Sequence, residues 1–168
     1  MRVLLLSMPD SFEHTPSLTM RLPNGALASL AGNVGPGHQV AAADLILAQR
    51  DVAGTVERLL GTYQPDLVGF SVMTFQRRTA LRLVRLVRAI APSAAIVFGG
   101  YDPSLAPDAY APPSSGVDYI VIGEGELTFR ALVHAIEARA DVSRIPGVCY
   151  RSPQASGGGF VRTPARAV

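Results

Sequence analysis

Phe98-Gly99-Gly100-Tyr101-Asp102-Pro103-Ser104 is the stretch that decides the fold. The apolar run 94–98 empties into two glycines and then a turn. A second segment repeats the idea: the apolar run 119–122 leads into Gly123-Glu124-Gly125-Glu126, where a helical pattern begins. Buried strands that end in glycine at a common rim leave the backbone open to close approach by a large ligand, because glycine carries no Cβ to block it.

Outward from these two segments, strand and helix alternate. Residues 2–7 are a continuous apolar run bounded by Pro9, the pattern of a buried strand. Ala26, Leu27, Leu30 and Ala31 recur at helical spacing and meet the stop signal Gly35-Pro36-Gly37. A strand over 39–43 ends at Asp44. Val52, Val56, Leu59 and Leu60 share one face of a helix that stops before Pro65. A strand over 66–72 precedes the most strongly periodic helix, 76–91. The fourth strand is 94–98. Pro103, Pro107, Pro112 and Pro113 reduce 104–111 to a loop or short helical turn. The fifth strand is 118–122, and the last helix, 126–139, turns Phe129, Leu132, Val133 and Ile136 inward. Strands apolar on both faces and alternating with helices predict an α/β chain, a parallel sheet covered on both faces by right-handed crossovers. After Ala140 the pattern changes. Residues 147–151 and 160–163 read as a hairpin, a tether to something beyond Val168.

A chain of 168 residues, 48% hydrophobic and 17% charged, is expected to be one soluble globular domain. No run is apolar for long enough to span a bilayer, and the short apolar N-terminus meets Pro9 too early for a secretory signal. A cytoplasmic protein without a membrane partner is expected. The net charge of +2 gives no argument for nucleic acid. Cys149 is the only cysteine, so an internal disulfide or a cluster held by this chain's own thiolates is excluded. Every basic side chain is arginine. Arg77, Arg78, Arg82, Arg85 and Arg88 lie opposite Ala80, Leu83, Val84, Val87 and Ile90 on the periodic helix and read as a solvated face, with a docking surface as the alternative.

In an open parallel sheet, ligands bind outside the carboxyl ends of the strands. Those ends carry Met8, Pro9 and Asp10 after the first strand, and Ser71, Val72, Met73 and Thr74 after the third. Gly99 and Gly100, followed by Tyr101 and Asp102, come after the fourth, and Gly123, Glu124 and Gly125 after the fifth. This rim offers backbone N–H groups and hydroxyls but few acid–base groups. It is suited to holding a ligand rather than to catalysis. Gly69-Phe70-Ser71-Val72-Met73 lacks the second glycine of a nucleophile elbow. A phosphate loop is impossible without lysine. Gly32, Gly35 and Gly37 lie after a helix, where a dinucleotide fingerprint requires the reverse order. Ser71 stands where a phospho-acceptor domain of this fold would need aspartate. Of the three histidines, His134 reads as surface beside Arg130 and Glu137, and His38 as structural at the opposite rim. His14 lies in the loop at the ligand rim, where a lone histidine is more often solvated than ligating. Asp10, Glu124 and Glu126 suit either ligand contacts or helix capping.

Taken in order, these segments resemble the cobalamin-binding domain at the front of many radical-SAM enzymes. The resemblance rests on Pro23, Leu27-Ala28, Leu30-Ala31, Gly37-His38-Gln39-Val40 and Asp44, then on Pro65 to Ser71. It continues through the glycine pair with Pro103-Ser104, Val117-Asp118-Tyr119, Gly123 to Phe129, and Ile145-Pro146-Gly147-Val148. It implies a flavodoxin-like (Rossmann-like) five-stranded parallel sheet of order 2-1-3-4-5 over residues 1–140, with 141–168 a C-terminal hairpin and linker to a radical-SAM domain of the same polypeptide. The nucleotide tail of cobalamin would run past Ser71, Val72 and Thr74 to the backbone at Gly99 and Gly100. Gly123 to Glu126 would flank its far end. Related cobalamin domains carry Asp-x-His-x-x-Gly after the first strand. Here Asp10 matches, but Phe12 and Thr15 replace the histidine and the glycine, leaving His14 a weak candidate for cobalt. Asp102 stands where many members have histidine. The resemblance therefore implies a cobalamin module, non-catalytic alone, within an enzyme expected to transfer a methyl group. The [4Fe-4S] cluster and S-adenosylmethionine would belong to the catalytic domain outside this chain. The alternatives are a flavin- or nucleotide-binding domain of the same fold, or a docking domain that has lost its cofactor.

Overall fold

The structure, a computed structural model, describes residues 1–10, 24–152, 155 and 159–167. Its elements run β1 (Arg2–Leu6), α1 (Gly25–Asn33), β2 (Gln39–Ala43), α2 (Val52–Tyr63), β3 (Leu67–Ser71), α3 (Arg77–Ile90), β4 (Ala95–Gly99), α4 (Tyr101–Leu105), β5 (Tyr119–Val121), α5 (Glu126–Ala138), β6 (Val148–Arg151) and β7 (Phe160–Arg162). Short 3-10 turns fill several of the connections. Phe12, His14, Thr15 and Pro23 lie outside the described residues.

The sheet has the order β2-β1-β3-β4-β5-β6-β7. Its first five strands are parallel, in the order expected. The expected C-terminal hairpin is present, and the strand number is what needs correcting: the hairpin extends the same sheet from five strands to seven, with β6 pairing antiparallel to β5 and β7 to β6. Val148 and Cys149 are buried in the core. The reason is the edge of β5: its unpaired N–H and C=O groups need a partner, and the hairpin supplies one.

The two-residue period of the strands sorts the core into two layers. On one face Leu4, Leu6, Val68, Phe70, Ile96 and Phe98 pack with Val56 and Leu60 of α2 and Leu83, Val84 and Val87 of α3. On the other, Val3, Leu5, Leu67 and Val97 pack with Leu27 of α1 and Phe129, Leu132 and Val133 of α5. Each fully buried Leu, Val or Phe contributes about 1.5–3 kcal/mol of transfer free energy. Helix ends follow local chemistry. Asn24 accepts the Leu27 N–H and starts α1, and Asp51 accepts the Gly54 N–H and starts α2. Gln64 and Arg139 close α2 and α5 in the left-handed conformation.

The arginine face of α3 also needs correcting. Arg78, Arg82 and Arg85 are exposed. Arg77 instead pairs with Asp102, and Arg88 reaches Asp118 at 2.5 Å and the carbonyls of Gly116 and Ala94 at 2.8 and 2.7 Å. Both sit at the margins of the helical face, close enough to the sheet for a long side chain to lie back across it. Among the described residues, no helix is long and apolar enough to cross a membrane.

Candidate functional site

At the carboxyl end of the sheet a cavity of about 490 Å³ lies between the strands and helices α1 and α5. Its floor follows from strand register. Leu5 pairs with Gly69 and Gly69 with Val97, while Ser71 pairs with Gly99. Residues two apart point to one face, so Gly69, Ser71, Val97 and Gly99 form a small-residue floor. Ala26, Leu27 and Leu30 of α1 make one wall, and Phe129 of α5 with Val121 the other. Gly123, Glu124, Gly125 and Glu126 form the lip. The volume is that of a ligand pocket, and the lining is mostly apolar with a few polar groups at its edge.

The individual glycines differ in what they do. A Cβ on Gly99 would meet nothing closer than the Val121 carbonyl at 3.9 Å, so this position is open space facing the cavity. Gly123, with φ of +76°, has nothing within 4 Å of such a Cβ. Gly100 is different. At φ +96° its Cβ would stand 2.8 Å from the Val72 carbonyl oxygen and 2.9 Å from the Val72 nitrogen. The chain itself therefore requires that glycine, because Val72 N–H donates to Gly99 O and Asp102 N–H to Val72 O across the gap. The glycine pair is half a ligand surface and half a backbone crossing.

The polar edge is built by long-range pairing. Ser29 Oγ donates to Glu126 Oε1 at 2.8 Å, tying α1 to the start of α5 beside the cavity. The Glu126 carboxyl is held below its ordinary range, first by its own backbone N–H and then by Ser29. Gly123 N–H donates to Ser104 Oγ at 3.1 Å, which fixes the lip against α4.

Of the residues singled out from sequence, the cavity collects Ser71, Gly99, Gly100, Gly123, Glu124 and Gly125. Met8, Pro9 and Val72 are buried in the protein, while Met73, Thr74 and Tyr101 lie exposed at the rim beside it. Asp10 accepts a hydrogen bond from Thr79 Oγ1, and its carbonyl accepts from Gln76 Nε2. Asp102 is buried and accepts from Arg77 and from the Tyr110 hydroxyl, so it faces inward rather than toward the cavity. His14 lies outside the described residues. Sequence reasoning missed Gly69 and the α1 wall. The signal for Gly69 is the strand period itself: it stands two residues before Ser71 and so shares its face.

The B12 binding domain family matches residues 18–133 of the chain. Among curated proteins, the chain is 27% identical over 151 residues to an uncharacterized methyltransferase, PH0819, of Pyrococcus horikoshii. It is 29% identical over 153 residues to the anaerobic magnesium-protoporphyrin IX monomethyl ester cyclase of a Synechocystis strain. Each alignment covers 90% of the chain but only 33% and 31% of the relative, so the chain spans about a third of their length. Among solved structures, it resembles the radical S-adenosylmethionine methyltransferase TsrM of Kitasatospora setae with cobalamin and a [4Fe-4S] cluster bound. The TM-score is 0.81 and the identity 25%, over 99% of this chain and 29% of that one.

Proposed function

Because the chain belongs to the B12 binding domain family, we propose that it is the cobalamin-binding module of a radical-SAM methyltransferase whose catalytic domain lies outside these 168 residues. The observation that carries this reading is the apolar slot beneath α1 and α5, with a floor of glycine and serine and an open carboxyl-end rim. A flat, bulky tail can lie there against backbone, where ordinary side chains would fill the space.

In this arrangement Gly69, Ser71 and Gly99 supply the floor on which the nucleotide tail rests. Leu27, Leu30 and Phe129 enclose it and keep water from its apolar faces. Ser71 and the lip residues Gly123 to Gly125 offer polar groups to its sugar and phosphate. Exposed Met73 and Tyr101 stand at the rim where the corrin would lie. When bound, cobalamin supplies a cobalt centre able to carry a methyl group, and the cluster and S-adenosylmethionine would belong to the partner domain. The coverage of only about a third of the curated relatives supports such a domain. The cavity would hold the nucleotide tail, and the two described histidines lie elsewhere: His38 precedes β2 and contacts His134, at the opposite rim. The reading includes a cytoplasmic location, which the single, buried, unpaired Cys149 suits.

Incubation with hydroxocobalamin or with flavin mononucleotide, followed by desalting, tests the assignment. A retained corrin spectrum at one equivalent is expected. A retained flavin spectrum, or no retained ligand, overturns it.

A further inference from the structure

At the opposite rim from the cavity, three side chains from distant parts of the sequence converge. His134 and Glu137 lie three residues apart on α5 and so share one helical face. His38 comes from the residue before β2, and its side chain is 1% exposed. The Nε2 of His38 stands 3.4 Å from the Nδ1 of His134. A ligating atom from each ring and a carboxylate oxygen of Glu137 all lie within 4.8 Å of one another. We infer that His38, His134 and Glu137 form a divalent transition-metal site of the zinc class, separate from the cobalamin cavity.

The geometry is close to what such an ion needs. Two nitrogens about 2.0–2.1 Å from a tetrahedral zinc stand about 3.3 Å apart, close to the separation of the two rings. Two imidazoles and one carboxylate are a donor set that zinc accepts with a fourth position left to water. His38 is held by packing, the two rings meet edge to face with centroids 4.9 Å apart, and an ion bound between them would replace their direct Nε2···Nδ1 contact. The Met1 ammonium donates to Glu137 Oε1 at 2.6 Å and lies 3.4 Å from His38 Nδ1. It is the group with which the metal shares the carboxylate. Glu137 Oε2 has no hydrogen-bond partner among the described residues and is the oxygen available to the ion. A metal here would staple α5 to the start of β2 across 96 residues of chain.

Tag-free, cobalamin-free protein titrated with Co²⁺ tests the site. Saturable binding of one equivalent is expected, with the visible bands of a low-symmetry, four-coordinate ion that Zn²⁺ then bleaches. His134→Ala and Glu137→Gln alter exposed side chains, and each should weaken Zn²⁺ binding at least tenfold while leaving the circular dichroism spectrum and hydroxocobalamin retention unchanged. Absence of a saturable one-to-one signal, or binding that survives both substitutions, overturns the inference.

Discussion

The Asp102 carboxylate, only 1% exposed, receives the Arg77 guanidinium through two bonds of 2.7 Å, Nε to Oδ2 and Nη2 to Oδ1. The Tyr110 hydroxyl donates to the same Oδ2. This pair locks the turn after β4 to the first residue of α3. It thereby sets the height of the rim on one side of the proposed cofactor site. A planar, bidentate pair of this kind cannot be reproduced by lysine.

Asp102→Asn should therefore destabilise the fold by about 3 kcal/mol at neutral pH, the low end for a broken buried pair because Arg77 keeps some solvent. The pH dependence has a definite sign. Burial pushes the Asp102 carboxyl up. The hydrogen bonds from Arg77 and Tyr110, the Arg77 charge and Thr74 together pull it down by more, so its pKa lies below the ordinary value. The unfolded chain then binds the proton more readily. The stabilisation is complete above the unfolded pKa of about 3.9 and is lost as pH falls through the lower folded value. Urea midpoints of the native protein should fall on acidification below that pH more steeply than those of Asp102→Asn. Equal slopes would assign acid unfolding to other groups.

Adjacent glycines should respond in opposite ways. Gly99→Leu places its Cβ in open space and its branch in the cavity. The chain should stay folded while the Kd for hydroxocobalamin rises by about tenfold or more, equivalent to about 1.4 kcal/mol. Gly100→Ala forces a Cβ against the Val72 backbone at positive φ and should cost about 1–3 kcal/mol of stability. Thermal denaturation and spectral titration of the two variants separate the effects.

The hairpin should prove indispensable. Arg151, on β6, donates to the carbonyls of Val117 at 2.6 Å, Ala111 at 2.8 Å and Pro112 at 3.1 Å, and to Ser115 Oγ at 2.9 Å. Arg151→Ala should cost about 2 kcal/mol or more, since several carbonyls lose a charged donor at once. A chain ended at Ala140 exposes the β5 edge and removes Val148 from the core. It should aggregate or lose its sharp thermal transition.

The cobalt of the bound cofactor should lack a nitrogen ligand from the described histidines, because His38 and His134 face each other at the other rim. If the nucleotide tail occupies the cavity as proposed, the paramagnetic resonance spectrum of the Co(II) form should show no strong nitrogen hyperfine splitting. A split spectrum that disappears in His14→Ala would instead give that residue the ligand role.

Much of the fold was legible because its determinants are local. The apolar runs locate β1, β3, β4 and β5, the last two with glycine ends, and the structure shows the helix starts to be just as local, with Asn24 and Asp51 capping through bonds only three residues long. The carboxyl-end rim was legible for the same reason, and six of the residues named from it line the cavity. Gly69 was less legible, since its role depends on which face of the strand the helices leave uncovered.

The order of runs, caps and glycines along the chain was enough to specify a parallel α/β sheet and the rim at which a large ligand could lie. It could not tell Gly99 from Gly100, identical neighbours whose difference is set by the Val72 backbone crossing beside one of them. Nor could it pair Arg77 with Asp102 or bring His38 to His134. Those contacts join segments 25 and 96 residues apart. Periodicity reports which side of an element is apolar, whereas contacts of that reach exist only once the sheet order and helix placement have set the distances.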